Sequence, residues 1–301
     1  MPEGKLRVLW ATDGSANARE AIPVLRQLVL PATAQLVVLA VAPHPLVTGA
    51  RPDPAYVTRA TAQAKQEALE AAESLAEAEM AALDLSEGVG DAQSAWGHPI
   101  ETILQVARRR GVELIVMGAK GHSNLRRILL GSISDGIVQH ANVPVLIVRP
   151  GSAAVRKVLV CYDGSSQAKA ALKFLERLAL PAEAELLLRR VVEPFAVPRG
   201  TPIGYRSRAI EEAHAINERR RRQAERSLRD AAARLEAAGH RVSSEVLTGI
   251  AATELVEAAR KASAGLVVVG SRKPSPARHY LLGSTAEKLV RHAPMSVLVV
   301  R

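Results

Sequence analysis

Residues 6–15 read LRVLWATDGS, and residues 156–165 read RKVLVCYDGS, 150 positions later. The segment LPATAQLVVLAV at 30–41 returns at the same spacing as LPAEAELLLRRV at 180–191. From Gly97 onward the spacing is 152, where LIVMGAKG, LLGSIS and VPVLIV return as LVVVGSRK, LLGSTA and MSVLVV. The chain is therefore an internal repeat. The Pro-, Gly- and Ser-containing segment RPGSAA at 149–154 predicts the boundary between two domains, 1–150 and 151–301.

Strand-like and helix-like segments alternate within each copy. In the first copy, helices are predicted from the segment that opens at Ser15 and over 55–83, 99–110 and 132–140; strands are predicted at 6–11, 36–42, 89–95, 114–117 and 143–148. Strands separated by helices of this length favour parallel βαβ units with right-handed crossovers. The expected fold class is α/β, with an open sheet between helices in each half. Ligands of such sheets lie beyond the carboxyl ends of the strands, where the strand order reverses.

Composition excludes several functional classes. The single cysteine, Cys161, excludes an intrachain disulfide framework and a cysteine-based zinc site. Aromatic residues make up only 3% of the chain, which argues against recognition by stacking on single-stranded bases. The uncharged stretch at 27–50 is interrupted by prolines, and its apolar core, Leu36 to Ala42, is too short to cross a membrane. The start of the chain lacks a secretory signal, so we expect a folded cytoplasmic protein without a membrane partner.

The positive charge is unevenly distributed. The formal net charge is +10, of which residues 1–150 contribute −1 and residues 151–301 contribute +11. The run Arg219 to Arg222 lies on a predicted helix and raises the alternative of binding to nucleic acid or to an acidic partner. The competing interpretation is a solvated helix face with i,i+4 pairs from Glu218 to Arg222 and from Glu225 to Arg229. The apolar face of this helix is predicted from Ile210, Ala213, Ile216, Leu228, Ala231 and Leu235.

A glycine-rich segment follows the fourth predicted strand. It reads Gly118-Ala-Lys-Gly121, then nine residues, then Gly131-Ser132, which gives the pattern G-x2-G-x9-G-S. Glycines allow a backbone to approach a phosphate closely, and the N-terminus of a helix favours an anion. Ser132 and Ser134 could add hydroxyl donors. The pattern is neither a Walker A loop nor G-x-G-x-x-G, and a generic glycine-rich turn is the alternative.

This segment, together with the Asp-Gly-Ser of residues 13–15, resembles the universal stress protein family in its tandem form. The resemblance covers nearly all of the chain. It implies two five-stranded parallel sheets of order 3-2-1-4-5 in a pseudo-twofold arrangement. The fifth strands, Val143 to Val148 and Met295 to Val300, are expected to meet, because exposed strand edges invite pairing. It also implies an ATP-binding protein of the stress response or of regulation.

By this resemblance the nucleotide site is expected in the first half, and the second site is expected to bind nucleotide weakly or not at all. Lys273 stands there in place of the second glycine, Pro274 and Pro276 remove two amide donors, and Tyr162 replaces Thr12. By position in the family pattern, the residues expected to border adenine and ribose are Ala11, Thr12, Asp13 and Val41. Those expected to contact the nucleoside are Met117 and Gly118. Those expected to hold the phosphates are Gly121, Gly131, Ser132, Ile133 and Ser134.

The expected cofactor is ATP, with ADP or AMP as alternatives, and Mg²⁺ would accompany the phosphates; no metal ligand is assigned. No catalytic residues are predicted, and slow ATP hydrolysis is the alternative. A homodimer of tandem chains is a further expectation.

Several side chains in these loops have two interpretations. Asp13 either touches the nucleoside or caps the turn before the next helix. Lys120 and His122 could reach a phosphate, but we expect them to be solvated loop residues. Asp135 is read as a partner of the helix dipole rather than a metal ligand. Cys161 is read as a buried strand thiol rather than a redox sensor.

Overall fold

In a computed structural model, residues 5–28, 34–43, 54–84, 90–120, 130–151, 155–198, 200, 202–271 and 282–301 are described, with the backbone alone for 54–61. Ten strands lie in these ranges: β1 Leu6–Thr12, β2 Ala34–Ala42, β3 Gly90–Trp96, β4 Leu114–Gly118, β5 Val145–Val148, β6 Lys157–Cys161, β7 Glu185–Val192, β8 Arg241–Thr248, β9 Leu266–Gly270 and β10 Ser296–Val300. The helices of the same ranges are α1 Ala16–Arg19, α2 Ala21–Leu28, α3 Pro54–Ala82, α4 Pro99–Arg109, α5 Ser132–His140, α6 Ser166–Leu175, α7 Ile203–Ala237, α8 Ala251–Lys261 and α9 Ser284–His292.

The strands form one sheet in the order β3-β2-β1-β4-β5-β10-β9-β6-β7-β8. Each half therefore has the order 3-2-1-4-5, as the resemblance implied, and all pairs within a half are parallel. The α/β class is confirmed. The structure differs in that the two five-stranded sheets are continuous, because β5 pairs antiparallel with β10.

The junction between the halves is symmetric. Leu146 pairs with Leu298, and Val145 and Ile147 pair with Val299 and Val297 respectively. Because 146 and 298 differ by the repeat spacing of 152, the Leu146–Leu298 pair lies at the centre of a pseudo-twofold axis. The predicted meeting of the fifth strands is confirmed, and their pairing satisfies backbone groups that a sheet edge would otherwise expose.

Two buried arginines extend this symmetry beyond the strands. Arg149 follows β5, is 1% exposed, and its Nη2 donates to the carbonyl of Val290 in α9 at 2.7 Å. Arg301 follows β10, and its Nη2 donates to the carbonyl of Val138 in α5. Both acceptors belong to the last turn of a helix, whose carbonyls lack partners within the helix. Burial lowers the pKa of the Arg301 guanidinium to about 10, so this group is charged at neutral pH.

Helices cover both faces of the sheet. On one face the apolar side chains of α2 and α3, and of α6 and α7, pack around strand residues such as Val8 and Trp10. On the other face α4 and α5, and α8 and α9, pack around their neighbours, such as Leu9. Successive strand residues point to opposite faces, and both sets are buried, as is typical of parallel sheets.

Two helices depart from the sequence predictions. The first predicted helix is divided at Glu20, because Pro23 cannot donate a hydrogen bond and its ring clashes with the carbonyl of Arg19. Ile210 and Ile216, predicted for the apolar face of α7, are 42% and 36% exposed. α7 has 35 residues and is roughly 52 Å long. It is about twice as long as the eight-residue strand β8, so its N-terminal part extends beyond the sheet.

The arginine run of α7 is partly paired. Arg222 contacts Glu218 at 3.8 Å, as predicted, whereas Glu225 pairs with Arg221 at 3.1 Å instead of with Arg229. These i,i+4 pairs are exposed and contribute little to stability. Across the described residues, no helix combines the length and the hydrophobicity that crossing a membrane requires.

Candidate functional site

A cavity with about 550 Å³ of empty volume lies at the carboxyl edge of the first half. The helices that follow β1 and β4 lie on opposite faces of the sheet, because the strand order reverses between these strands. The turn after β1, the side chains of β2, the end of β4 and the starts of α4 and α5 line the space, which we call the first cavity. Its lining residues are Ala11, Thr12, Asp13, Ala18, Leu39, Val41, Pro99, Ile103, Met117, Gly118, Lys120, Ile133 and Ser134.

Eight of the eleven residues carried over from the family line this cavity: Ala11, Thr12, Asp13, Val41, Met117, Gly118, Ile133 and Ser134. Gly131 and Ser132 are outside the lining, at the N-cap and first position of α5. Gly121 lies outside the described residues, as does His122. The fold thus brings together most residues that the resemblance selected.

One side of the first cavity is apolar. Leu39 and Val41 reach it from β2, Met117 from β4, and Pro99 and Ile103 from the first turns of α4. Sequence reasoning missed Leu39 of β2, Pro99 and Ile103 of α4, and Ala18 of α1, because residues of these types in a strand or helix are typical of the ordinary core. The signal that could have selected them is positional, since α4 begins at the carboxyl edge of the sheet. Such a slot suits a flat, largely apolar ring.

The turn after β1 forms a polar rim. Asp13 Oδ1 accepts the backbone N–H of Ser15 at 3.1 Å, and Thr12 Oγ1 accepts that of Gly14 at the same distance. Ser15 in turn caps α1, with its Oγ accepting the N–H of Ala18 at 3.2 Å. Asp13 therefore both stabilises the turn and lines the cavity, so the two interpretations of this carboxylate are compatible.

The N-terminus of α5 presents backbone amides at the cavity. The first intrahelical bond runs from the N–H of Asp135 to the carbonyl of Gly131 at 2.9 Å. The amides of Ser132, Ile133 and Ser134 precede it and have no acceptor within the helix. The hydroxyl of Ser134 is buried and donates to the carbonyl of Gly118 at 2.9 Å, so its proton is not available to a ligand. What remains for an anion at this residue is the amide.

Lys120 corrects the sequence prediction. It was expected to be a solvated loop residue, but it is 9% exposed and lines the first cavity. Two backbone bonds hold its neighbour Ala119: its N–H donates to the carbonyl of Val148, and its carbonyl accepts from Gly131, each at 2.8 Å. The loop is thereby tied to both β5 and the N-cap of α5. A cationic side chain enters the same space as the amides of that helix.

Gly118 is required by the packing of the protein, in addition to its predicted place beside the nucleoside. A Cβ at this position would lie 2.6 Å from the carbonyl oxygen of Asn17, so the glycine permits close packing of α1 on the end of β4. Gly270 repeats this feature, because a Cβ there would lie 2.6 Å from Gln167. Packing between protein segments is therefore sufficient to require a glycine at both positions.

The second half has an equivalent cavity of about 600 Å³ with a changed lining. Arg189 stands at the position of Leu39; its Nε lies 3.3 Å from a carboxylate oxygen of Glu245, and its Nη1 donates to the carbonyl of Ser243 at 3.1 Å. Cys161 lies in this cavity and is buried; burial first, and then Asp163, raise the pKa of its thiol. The thiol stays protonated, which agrees with a buried strand cysteine. The slot that is apolar in the first half is charged here.

Asp135, in the first turn of α5, is engaged away from the first cavity. Asp135 accepts a hydrogen bond from Gln139 at 2.8 Å and pairs with Arg291 of the second half at 3.3 Å. Within the described ranges, no group of three or more His, Cys, Asp or Glu side chains is placed to hold a metal ion.

The comparison with protein families gives the decisive match. A sequence model of the universal stress protein family matches residues 6–149 and again residues 154–301. The chain belongs to the universal stress protein family. It contains two copies of the family's domain in tandem, as the internal repeat indicated.

Relatives differ in how much of the chain they match. A universal stress protein of Methanocaldococcus jannaschii is 43% identical over 53 residues, which are 18% of this chain and 33% of that protein. One of Mycobacterium tuberculosis (strain ATCC 25618 / H37Rv) is 30% identical over 213 residues, 67% of this chain and 66% of its own length. The chain thus spans one third to two thirds of these two relatives. The crystal structure of a universal stress protein from Archaeoglobus fulgidus covers 98% of both chains with a TM-score of 0.65 at 22% identity, which shows the shared fold.

Proposed function

We propose that the first half binds an adenine nucleotide, ATP in the first place, and that the bound nucleotide acts as a signal or structural ligand in a stress response. The observation that carries this proposal is the convergence of eight family site residues in one cavity. The cavity combines an apolar slot, a carboxylate, helix amides and a buried lysine. These are the groups that a base, a ribose and phosphates require.

The polarity of the first cavity suggests how the nucleotide would lie. The base would occupy the slot of Leu39, Val41, Ile103 and Met117, where it leaves water. The ribose would approach the Asp13 carboxylate, which can accept hydrogen bonds from hydroxyl groups. The phosphates would point to the free amides of α5 and to Lys120, because both favour negative charge. Mg²⁺ would arrive with the phosphates, and ADP or AMP would fit the same slot.

The second half is proposed to have lost this nucleotide site. In its cavity, Arg189 occupies the position that Leu39 has in the first half. The Arg189 side chain is 11% exposed and contacts Glu245 and Ser243 of β8. A base placed there would displace or bury a charged pair, which is costly. We retain the domain division at 1–150 and 151–301, with an intact nucleotide loop in the first and a degenerate one in the second.

The remaining functional assignments are proposals of the same kind. Within the described residues, no group of three or more His, Cys, Asp or Glu side chains could hold a metal ion. Binding without turnover is the proposal, and slow ATP hydrolysis is its alternative. Arg219 and Arg220 are exposed and make no ion pair within the described part of α7, which keeps an acidic partner as the second candidate. A cytoplasmic location and a homodimer of tandem chains complete the proposal.

The variant Asp13→Asn tests the site. The amide oxygen can still accept the N–H of Ser15, so the turn is retained while the charge that would face the ribose is removed. We expect ATP affinity to fall about tenfold, because hydrogen bonds to charged groups contribute roughly 1.5 to 3 kcal/mol. Isothermal titration calorimetry on the full chain measures this.

The matched control is Asp163→Asn, which alters the equivalent turn of the second half, where Asp163 accepts the N–H of Ser165 at 2.9 Å. ATP affinity should be unchanged in this variant. Equal losses in both variants, or no loss in Asp13→Asn, would contradict the assignment.

A further inference from the structure

A second opening in the second half lies between α6 and α7 and shares Tyr162 with the lining of the second-half cavity. It has about 730 Å³ of empty volume. We call it the α6–α7 groove; its lining residues are Tyr162, Gly164, Lys169, Leu172, Lys173, Glu176, Ser227, Asp230, Ala231, Arg234 and Leu235. Its floor is formed by buried or half-buried residues, and its charged residues are exposed at the rim.

The first half shows what normally fills this space. There Leu75 of α3 packs against the turn after β1, so close that a Cβ on Gly14 would lie 2.8 Å from its Cδ1. Glu79, which is 1% exposed, pairs with Arg19 at 2.6 Å. Hydrocarbon and an ion pair, in which Glu79 is buried and Arg19 is 57% exposed, therefore close the gap between the two helices.

The second half has lost both closing elements. At the repeat spacing of 152, Leu75 corresponds to Ser227 and Glu79 to Ala231. The equivalence holds in space, because a Cβ on Gly164 would meet Ser227 Oγ at 3.0 Å, as one on Gly14 meets Leu75. At the spacing of 150 that holds in the first part of the repeat, Arg19 corresponds to Lys169, which keeps its positive charge but faces an alanine in place of the carboxylate. The groove is the space that these replacements leave.

Positive charge is concentrated at the end of the groove nearest the sheet. Lys169 lies one turn into α6 and lines the groove. Arg190 lines the second-half cavity but reaches the same end, because its Nη1 would be 3.4 Å from a Cβ on Gly164, beside Ser227. Neither cation makes an ion pair among the described residues. Glu176 lies two turns further along α6, near Lys173, and Asp230 precedes Ala231 in α7, one turn before Arg234. This end of the groove thus combines two cations without an ion pair in the described ranges, a hydroxyl and a glycine turn, in which the Asp163 carboxylate accepts the N–H of Ser165.

We propose that the α6–α7 groove binds a phosphate group, either as the free ion or as the monoester of a small polar molecule. An ammonium, a guanidinium and a hydroxyl can each donate to the oxygens of a phosphate dianion. Further along the groove, the charged side chains of Lys173, Glu176, Asp230 and Arg234 could form hydrogen bonds with the hydroxyl groups of the esterified molecule. The site is separate from the nucleotide cavity, because it lies on the opposite face of the sheet.

The experiment titrates the full chain with sn-glycerol 3-phosphate, inorganic phosphate and glycerol by isothermal titration calorimetry. The test variant is Ala231→Glu, which returns the carboxylate of the first half opposite Lys169. Its control is Ala233→Glu, which adds the same charge at an exposed position two residues along α7. We expect the first variant to weaken phosphate binding at least tenfold and the control to stay within twofold. Since the first cavity also presents amides to a phosphate, only the difference between these variants reports on the groove.

A second variant keeps the proposal testable if Ala231→Glu fails to fold. Lys169→Met removes an exposed cation without burying a new charge and should weaken binding at least fivefold. Tighter binding of the ester than of inorganic phosphate identifies the ester as the ligand, and equal binding identifies the free ion. Absence of binding of either anion to the unmodified chain, or equal affinities across folded Ala231→Glu, Lys169→Met and Ala233→Glu, would overturn the proposal.

Discussion

Replacing Arg149 by alanine is expected to lower the free energy of unfolding by about 3 kcal/mol. The side chain is among the largest that are fully buried, so its removal leaves a cavity at the junction of the halves. It also removes the donor to the Val290 carbonyl, which belongs to the last turn of α9. An unsatisfied buried carbonyl adds its own desolvation cost to that of the cavity. Urea unfolding followed by circular dichroism measures the change.

Arg108→Ala is the matched control for Arg149→Ala, because Arg108 is exposed near the end of α4. We expect it to change stability by less than about 0.5 kcal/mol. A loss below about 1 kcal/mol in Arg149→Ala would mean that the reciprocal arginines do not hold the halves together.

The second large effect is expected on ATP affinity, when the apolar slot of the first cavity is given the charged pair of the second-half cavity. The double variant Leu39→Arg with Gln93→Glu introduces the pair that Arg189 and Glu245 form between equivalent strand positions. ATP affinity should fall at least a hundredfold, about 2.7 kcal/mol or more. The base would have to disrupt a partly buried ion pair where it now meets leucine.

Gln93→Glu alone is the control for this exchange, because it changes the charge on β3 without placing a guanidinium in the slot. Its ATP affinity should stay within about threefold of the unmodified chain, an effect under roughly 0.7 kcal/mol. If the double variant binds ATP as well as this control does, the apolar slot is not the base site.

Much of the fold could be predicted from the sequence because the repeat gives each pattern twice. The helix predicted at Ser132 to His140 is observed with the same ends, and the meeting of the fifth strands follows from their exposed edges. The break at Glu20 was missed because a proline early in a helix is compatible with either an interruption or a new first turn. The exposed start of α7 was missed because periodicity does not reveal where the sheet beneath a helix ends.

The candidate site was predictable where residues belong to a motif and unpredictable where the fold supplies them. Asp13 and Met117 were carried over from the family resemblance, whereas Ile103 reaches the cavity only because the first turns of α4 border it. Burial of Lys120 depends on how its loop is tied to β5, which no local pattern encodes. The equivalence of Arg149 and Arg301 is visible in the sequence at the spacing of 152, but their reciprocal contacts depend on the antiparallel pairing of the halves.

The stoichiometry of ATP binding to the full chain, measured by equilibrium dialysis with labelled nucleotide, tests the central claim most directly. An intact first cavity beside a charged second cavity predicts saturation at one ATP per chain. Saturation at two per chain, or no binding, would contradict the account.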